Sequence, residues 1–79
     1  MNNFTVYTME GCPYCEKVQE LLREAGQKFV TYKIEQDFTP ESFANEFGRG
    51  ATFPQVTVDG NKLGGAAETV KYLKENKLV

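Results

Sequence analysis

Two cysteines, Cys12 and Cys15, stand where a strand pattern gives way to a helix pattern, and no other feature narrows the fold as much. Before them, Phe4 to Thr8 has the β-branched and aromatic composition that strands favour. After them, Val18, Leu21, Leu22 and Ala25 recur at helical spacing and give a helix over Pro13 to Ala25 one apolar face. Pro13 suits a first helical turn, where its missing N–H costs nothing. Gly11 punctuates the junction, and Gly26 is a natural C-terminal stop.

The rest of the chain extends this strand–helix unit. Phe29 to Ile34 reads as a second strand, with Phe29, Val30, Tyr32 and Ile34 as its bulky members. Thr39-Pro40 has the form of an N-cap followed by proline at the first helical position. Phe43, Ala44 and Phe47 give the short helix that follows an apolar stripe, and Gly48-Arg49-Gly50 ends it. Gln55 to Val58 and Lys62 to Leu63 flank Asp59-Gly60-Asn61, a strong hairpin signal. Gly64-Gly65 breaks the second hairpin strand. Ala66, Val70 and Leu73 mark a last helix through Asn76.

The order is β-α-β-α-β-β-α in 79 residues, with no repeat or linker, so one domain over 1–79 is expected. A right-handed crossover makes the first two strands parallel, and the hairpin adds two antiparallel ones. The predicted fold class is α/β, a four-stranded mixed sheet flanked by three helices.

Composition narrows the functions. An apolar fraction of 41% with six Phe supports a packed core and argues against disorder. Two cysteines three residues apart cannot staple a fold, because bridging so short a loop removes little unfolded-state entropy. A secreted disulfide scaffold needs more of them, more widely spread. The formal charge is −2, with Lys and Arg scattered among Asp and Glu. That argues against nucleic acid or an anionic membrane as the main partner. No signal-peptide pattern opens the chain, and no apolar run has the length to cross a bilayer. A reducing cytoplasm is the expected compartment.

The chemistry lies in Cys12-Pro13-Tyr14-Cys15. Three residues along a helix returns a side chain to nearly the same face, so two sulfurs can bond with little backbone movement. Cys12 falls at or just before the helix N-terminus, where unsatisfied N–H groups and the positive dipole end favour an anion. In such settings a thiol pKa falls from about 8.5 to roughly 3.5–7.5. That makes Cys12 the nucleophile and a good leaving group. Cys15, one turn in, suits the resolving role. The rival reading is a zinc half-site. Structural zinc wants four Cys or His ligands, and this chain has no His and no third Cys. No metal site is therefore expected.

Cys-Pro-Tyr-Cys is the dithiol active-site motif of the glutaredoxin family. Thr52-Phe53-Pro54-Gln55 resembles that family's Thr-Val-Pro segment, and Leu63-Gly64-Gly65 its Ile-Gly-Gly segment. The three occur in family order and spacing, and the resemblance spans nearly the whole chain. It implies a thioredoxin fold and a glutathione-linked thiol–disulfide oxidoreductase with glutathione as co-substrate and no required cofactor. It also implies a cis bond at Phe53–Pro54, where only an X-Pro bond adopts cis at modest cost. Thr52, Phe53 and Pro54 would then offer backbone to an extended glutathione. The amides of Gly65, Ala66 and Ala67 would hold the γ-glutamyl carboxylate at a helix N-terminus, and Glu68 would take the ammonium. Tyr14 would cover one side of the groove. Each has an ordinary alternative: a strand-start proline, a first-turn Glu favoured by the dipole, and an aromatic packed on the surface.

One departure stands out. Relatives usually carry Lys or Arg three residues before the first cysteine, and this chain has Met9. Arg49 is the candidate to contact the glycine carboxylate instead, with a solvated loop arginine as the alternative. The expected partners are glutathione and disulfide-containing proteins, ribonucleotide reductase being a family-level candidate, and the expected state is a monomer. Two rival functions share the motif: a [2Fe–2S] cluster carrier, and a redoxin fed by thioredoxin reductase that serves ribonucleotide reductase.

Overall fold

The computed structural model describes residues 3–78. Its elements are β1 (Phe4–Thr8), α1 (Pro13–Glu24), β2 (Phe29–Lys33), α2 (Pro40–Phe47), β3 (Gln55–Val58), β4 (Asn61–Gly64) and α3 (Ala66–Glu75). The order β-α-β-α-β-β-α is the one expected.

The strands form one sheet in the order β2-β1-β3-β4. β1 runs parallel to β2, with Tyr7 opposite Tyr32 and Thr8 opposite Lys33. β3 lies antiparallel to β1 and to β4. Along β1 the side chains alternate between the sheet's faces, as strand geometry requires. Phe4, Val6 and Thr8 are buried on one face, and Tyr7 stands on the other.

On the first face, α1 and α3 close over β1 and β3. Phe4, Val6, Val18, Leu22, Val56, Val58 and Leu73 make a single buried cluster there. Tyr72 adds an edge-to-face contact with Phe4, ring centroids 5.9 Å apart. On the second face, α2 brings Phe47 to 4.9 Å from the Tyr7 ring. The mixed sheet thus has helices on both sides.

Local chemistry sets the element ends. Thr39 caps α2: its side chain accepts the Ser42 N–H at 3.1 Å, and the Ser42 hydroxyl accepts the Thr39 N–H at 3.1 Å. Gly26, at φ 70°, terminates α1 with a conformation that a side chain would strain.

Several boundaries differ from the expected ones. α1 ends at Glu24, and Ala25 becomes the cap, its N–H bonding the Leu21 carbonyl. β2 stops at Lys33: the Ile34 N–H still bonds the Thr8 carbonyl at 3.0 Å, but Ile34 otherwise bridges to Phe38, and the chain turns at Glu35, φ 68°. The hairpin loop is two residues, Asp59 and Gly60, both at positive φ as a primed turn needs. Asn61 therefore belongs to β4 and pairs with Val58, and Gly64 closes the strand rather than breaking it. α3 ends at Glu75, with Asn76 as its cap, donating from its amide to the Tyr72 carbonyl.

Candidate active site

Cys12 is the N-cap of α1. Its backbone is extended, at φ −102° and ψ 103°, and its sulfur accepts the Cys15 N–H at 3.2 Å. A sulfur thus fills the capping role that Ser or Asp usually fills, by accepting one first-turn amide. Its carbonyl accepts the Glu16 N–H, so the helix starts here. Cys12 is bonded to Cys15, with Cα atoms 5.2 Å apart. Cys12 is half-buried, whereas Cys15 is 1% exposed beneath α1. Cys12 is thus the more exposed of the two residues.

Of the other residues singled out from the sequence, Pro54 and Gly65 are brought together: a Cβ at Gly65 would meet the Pro54 carbonyl oxygen at 3.5 Å. Tyr14 projects from the first turn, 66% exposed. Phe53 stacks on Phe43, ring centroids 4.3 Å apart, so it is half-buried and tied to the α2 face. The Phe53–Pro54 bond is cis, and Pro54 is buried. The Thr52 carbonyl accepts the Gln55 amide at 2.8 Å. Arg49 sits exposed in the turn after α2.

At the start of α3 the structure joins two predicted contacts to each other. Glu68 Oε1 accepts the Gly65 N–H at 2.8 Å. The residue read as partner to an ammonium and the amide read as host to a carboxylate are here bonded together. The Thr69 hydroxyl donates to the Gly65 carbonyl at 2.9 Å and completes the turn. Gly64 is at φ 124°, and a Cβ there would meet Glu68 Cγ at 2.9 Å, so glycine is required on both counts. Ala66 is half-buried, and Ala67 faces solvent.

Sequence reasoning missed Lys33. It lines the depression that holds Cys12 and Cys15, together with Thr8, Met9 and Glu10. Its ammonium lies 2.9 Å from Glu10 Oε2. That bond and charge hold the Glu10 carboxyl below its ordinary pKa. The parallel pairing of β1 and β2 could have signalled Lys33, since it sets the strand ends side by side. The register, Thr8 to Lys33, was not legible. Met9 is 44% exposed at the same rim.

A β2-β1-β3-β4 mixed sheet whose first crossover helix opens on Cys-x-x-Cys defines a thioredoxin-fold dithiol protein. The family model described as Glutaredoxin matches residues 4–63. Glutaredoxin 3 of Escherichia coli is 35% identical over 66 residues, 82% of this chain and 78% of that protein. Hybrid peroxiredoxin hyPrx5 of Haemophilus influenzae is 34% identical over 70 residues, 89% of this chain but 29% of that longer protein. The crystal structure of a buckwheat glutaredoxin–glutathione complex aligns with a TM-score of 0.79 at 25% identity, covering 98% of this chain and 73% of that one. The chain belongs to the glutaredoxin family of thiol–disulfide oxidoreductases, and Cys12-Pro13-Tyr14-Cys15 is its redox-active dithiol motif.

Proposed function

We propose that this protein reduces protein disulfides and glutathione mixed disulfides, with glutathione as the electron source. The observation that carries this reading is the asymmetry of the dithiol: a half-buried Cys12 whose helix-capping sulfur is supported by the Cys15 N–H, against a buried Cys15. The Cys12 thiolate attacks one sulfur of the substrate disulfide. A Cys12–substrate bond forms, and the other substrate sulfur leaves as a thiolate. Cys15, losing its proton, attacks the Cys12 sulfur and expels the second substrate thiolate. Two electrons have then passed to the substrate, and the Cys12–Cys15 bridge remains.

Glutathione reverses this in two exchanges. One thiolate attacks Cys12 and releases Cys15. A second attacks the glutathione sulfur, releasing glutathione disulfide and the Cys12 thiolate. The buckwheat complex supports glutathione as ligand. Tyr14, Thr52, Phe53 and Pro54 would line its extended backbone. The amides of Gly65, Ala66 and Ala67 would hold one carboxylate, Arg49 the other, and Glu68 would turn from Gly65 to the ammonium. The protein is read as a cytoplasmic monomer. Among the described residues no helix is long and apolar enough to cross a membrane.

The test is a pair of substitutions assayed with glutathione and its reductase, and separately with thioredoxin reductase. Cys12→Ser should abolish all transfer. Cys15→Ser should keep reduction of glutathione mixed disulfides, which needs only the first sulfur, and lose two-thiol reduction of protein disulfides. A Cys15→Ser protein inactive toward both, or activity only with thioredoxin reductase, overturns the reading.

A further inference from the structure

On the face of the sheet away from α1, the chain carries an open depression of about 330 Å³. Its floor is aromatic. Tyr7 packs against Tyr32 at 5.6 Å, Phe38 at 5.4 Å and Phe47 at 4.9 Å between ring centroids. The cluster is not sealed, since Tyr32 remains 39% exposed. Its rim carries two carboxylates, Asp37 and Glu46. The whole stretch from Ile34 to Gly48 holds four acidic residues and no Lys or Arg. Burial raises the Tyr7 pKa, and the neighbouring Tyr32 and Glu46 add to it.

Aromatic faces bordered by carboxylates attract organic cations, guanidinium above all. One wall already works this way. Lys62 lies 5.5 Å from the Phe47 ring centroid and 3.8 Å from Glu46 Oε1. The wall toward Tyr32 and Asp37 has no such internal cation among the described residues.

The position relates this depression to the dithiol. Tyr7 and Tyr32 are paired neighbours one residue before Thr8 and Lys33. Thr8 and Lys33 line the separate depression containing Cys12 and Cys15. A chain crossing the ends of β1 and β2 would meet both.

We propose that the Tyr7–Tyr32–Phe47 depression is a docking site for an arginine or lysine side chain of a disulfide-bearing protein substrate. It gives the enzyme a preference for substrates with a cation a few residues from the reacting cysteine. The kinetic part rests on the oxidoreductase reading above; the binding part does not.

The test uses short peptides of one sequence, each with its cysteine linked to a coloured aryl thiolate. Arg or Gln is placed in turn at successive positions on either side of the cysteine. At the best position Arg should raise kcat/KM about two- to fivefold over Gln, the gain expected of an exposed cation–π contact. Tyr32→Ala and Glu46→Gln should each erase the difference. Lys62→Gln, which frees Glu46, should enlarge it, and added salt should shrink it. None of the three should alter reduction of a small uncharged disulfide. A second arm follows the aromatic proton signals of Tyr7, Tyr32 and Phe47 while a cysteine-free Arg peptide is added, and they should shift where those of Tyr14 do not. No Arg preference, or one that survives both Tyr32→Ala and Glu46→Gln, overturns the proposal, as do unmoved aromatic signals. Loss of activity toward the small disulfide in the natural protein would sink the oxidoreductase reading instead, leaving the binding arm to decide on the depression.

Discussion

The two faces of the sheet are built from the same strands and differ in almost every other respect. Beneath α1 and α3 the packing is mainly aliphatic and dry: Val6, Leu22, Val56 and Leu73 have no exposed surface. Beneath α2 it is aromatic and partly wet. Phe43 is the one buried residue of that helix, 7% exposed, while Tyr32 keeps 39% of its surface. The cause is coverage. α1 has 12 residues and α2 eight, or about 18 Å and 12 Å of helix. Two helices close one face, and one short helix leaves part of the other open. The closed face carries the buried cluster, and the open face keeps aromatic surface in contact with solvent. The dithiol sits at the strand ends where the two meet.

The largest expected effect tests that division directly. Leu73→Ala, in a site with no solvent exposure, should cost about 2–5 kcal/mol of stability by urea unfolding. Phe47→Ala on the open face removes a half-buried ring and should cost about 1–2 kcal/mol, although a phenylalanine is the larger group. Equal costs would mean that the faces contribute alike, and the contrast drawn here would fail.

A smaller effect sharpens it. α2 packs too little surface to rely on burial alone, so its cap should matter. Thr39→Ala removes the acceptor of the Ser42 N–H and half of a reciprocal cap. It should cost about 1 kcal/mol and raise hydrogen exchange in α2 more than in α1. Uniform exchange across both helices would show that α2 does not open on its own.

Much of this was legible in the sequence because local signals agreed. Cys12-Pro13 at the end of Phe4–Thr8 gave the strand–helix junction, and Thr39-Pro40 gave the α2 start. Both rest on capping and proline chemistry that needs no tertiary information. What escaped needed tertiary pairing. In the sequence Val30 is only a bulky member of the second strand; β2 is an edge strand and leaves it 52% exposed. Nothing in the sequence singled out Lys33, and only the parallel register sets it beside Thr8. The bond from Gly65 to Glu68 depended on a side-chain rotamer, and the six-ring aromatic cluster on both helix placement and the Phe53 loop.

The smallest expected effect concerns the rim itself, where Met9 replaces a cation and Lys33 stands nearby but paired with Glu10. A positive charge beside Cys12 favours thiolate over thiol and adds to the helix N-terminus. Met9→Lys should therefore lower the Cys12 pKa and the KM for glutathione. Lys33→Gln should raise that pKa, and Glu10→Gln, which releases the Lys33 ammonium, should lower it. Each change should amount to about 1 kcal/mol or less, because the rim is exposed and screened. That is at most about three-quarters of a pH unit. All three should fade in high salt. If Arg49 holds a glutathione carboxylate, Arg49→Ala should weaken glutathione use in the natural protein and hurt less beside Met9→Lys. Iodoacetamide alkylation rates against pH give the pKa, and steady-state kinetics give the KM. Opposite signs for Lys33→Gln and Glu10→Gln would identify a field acting on Cys12. Equal signs would mean that the ion pair only braces the loop. Unchanged values in Met9→Lys would mean that position 9 faces away from the sulfur.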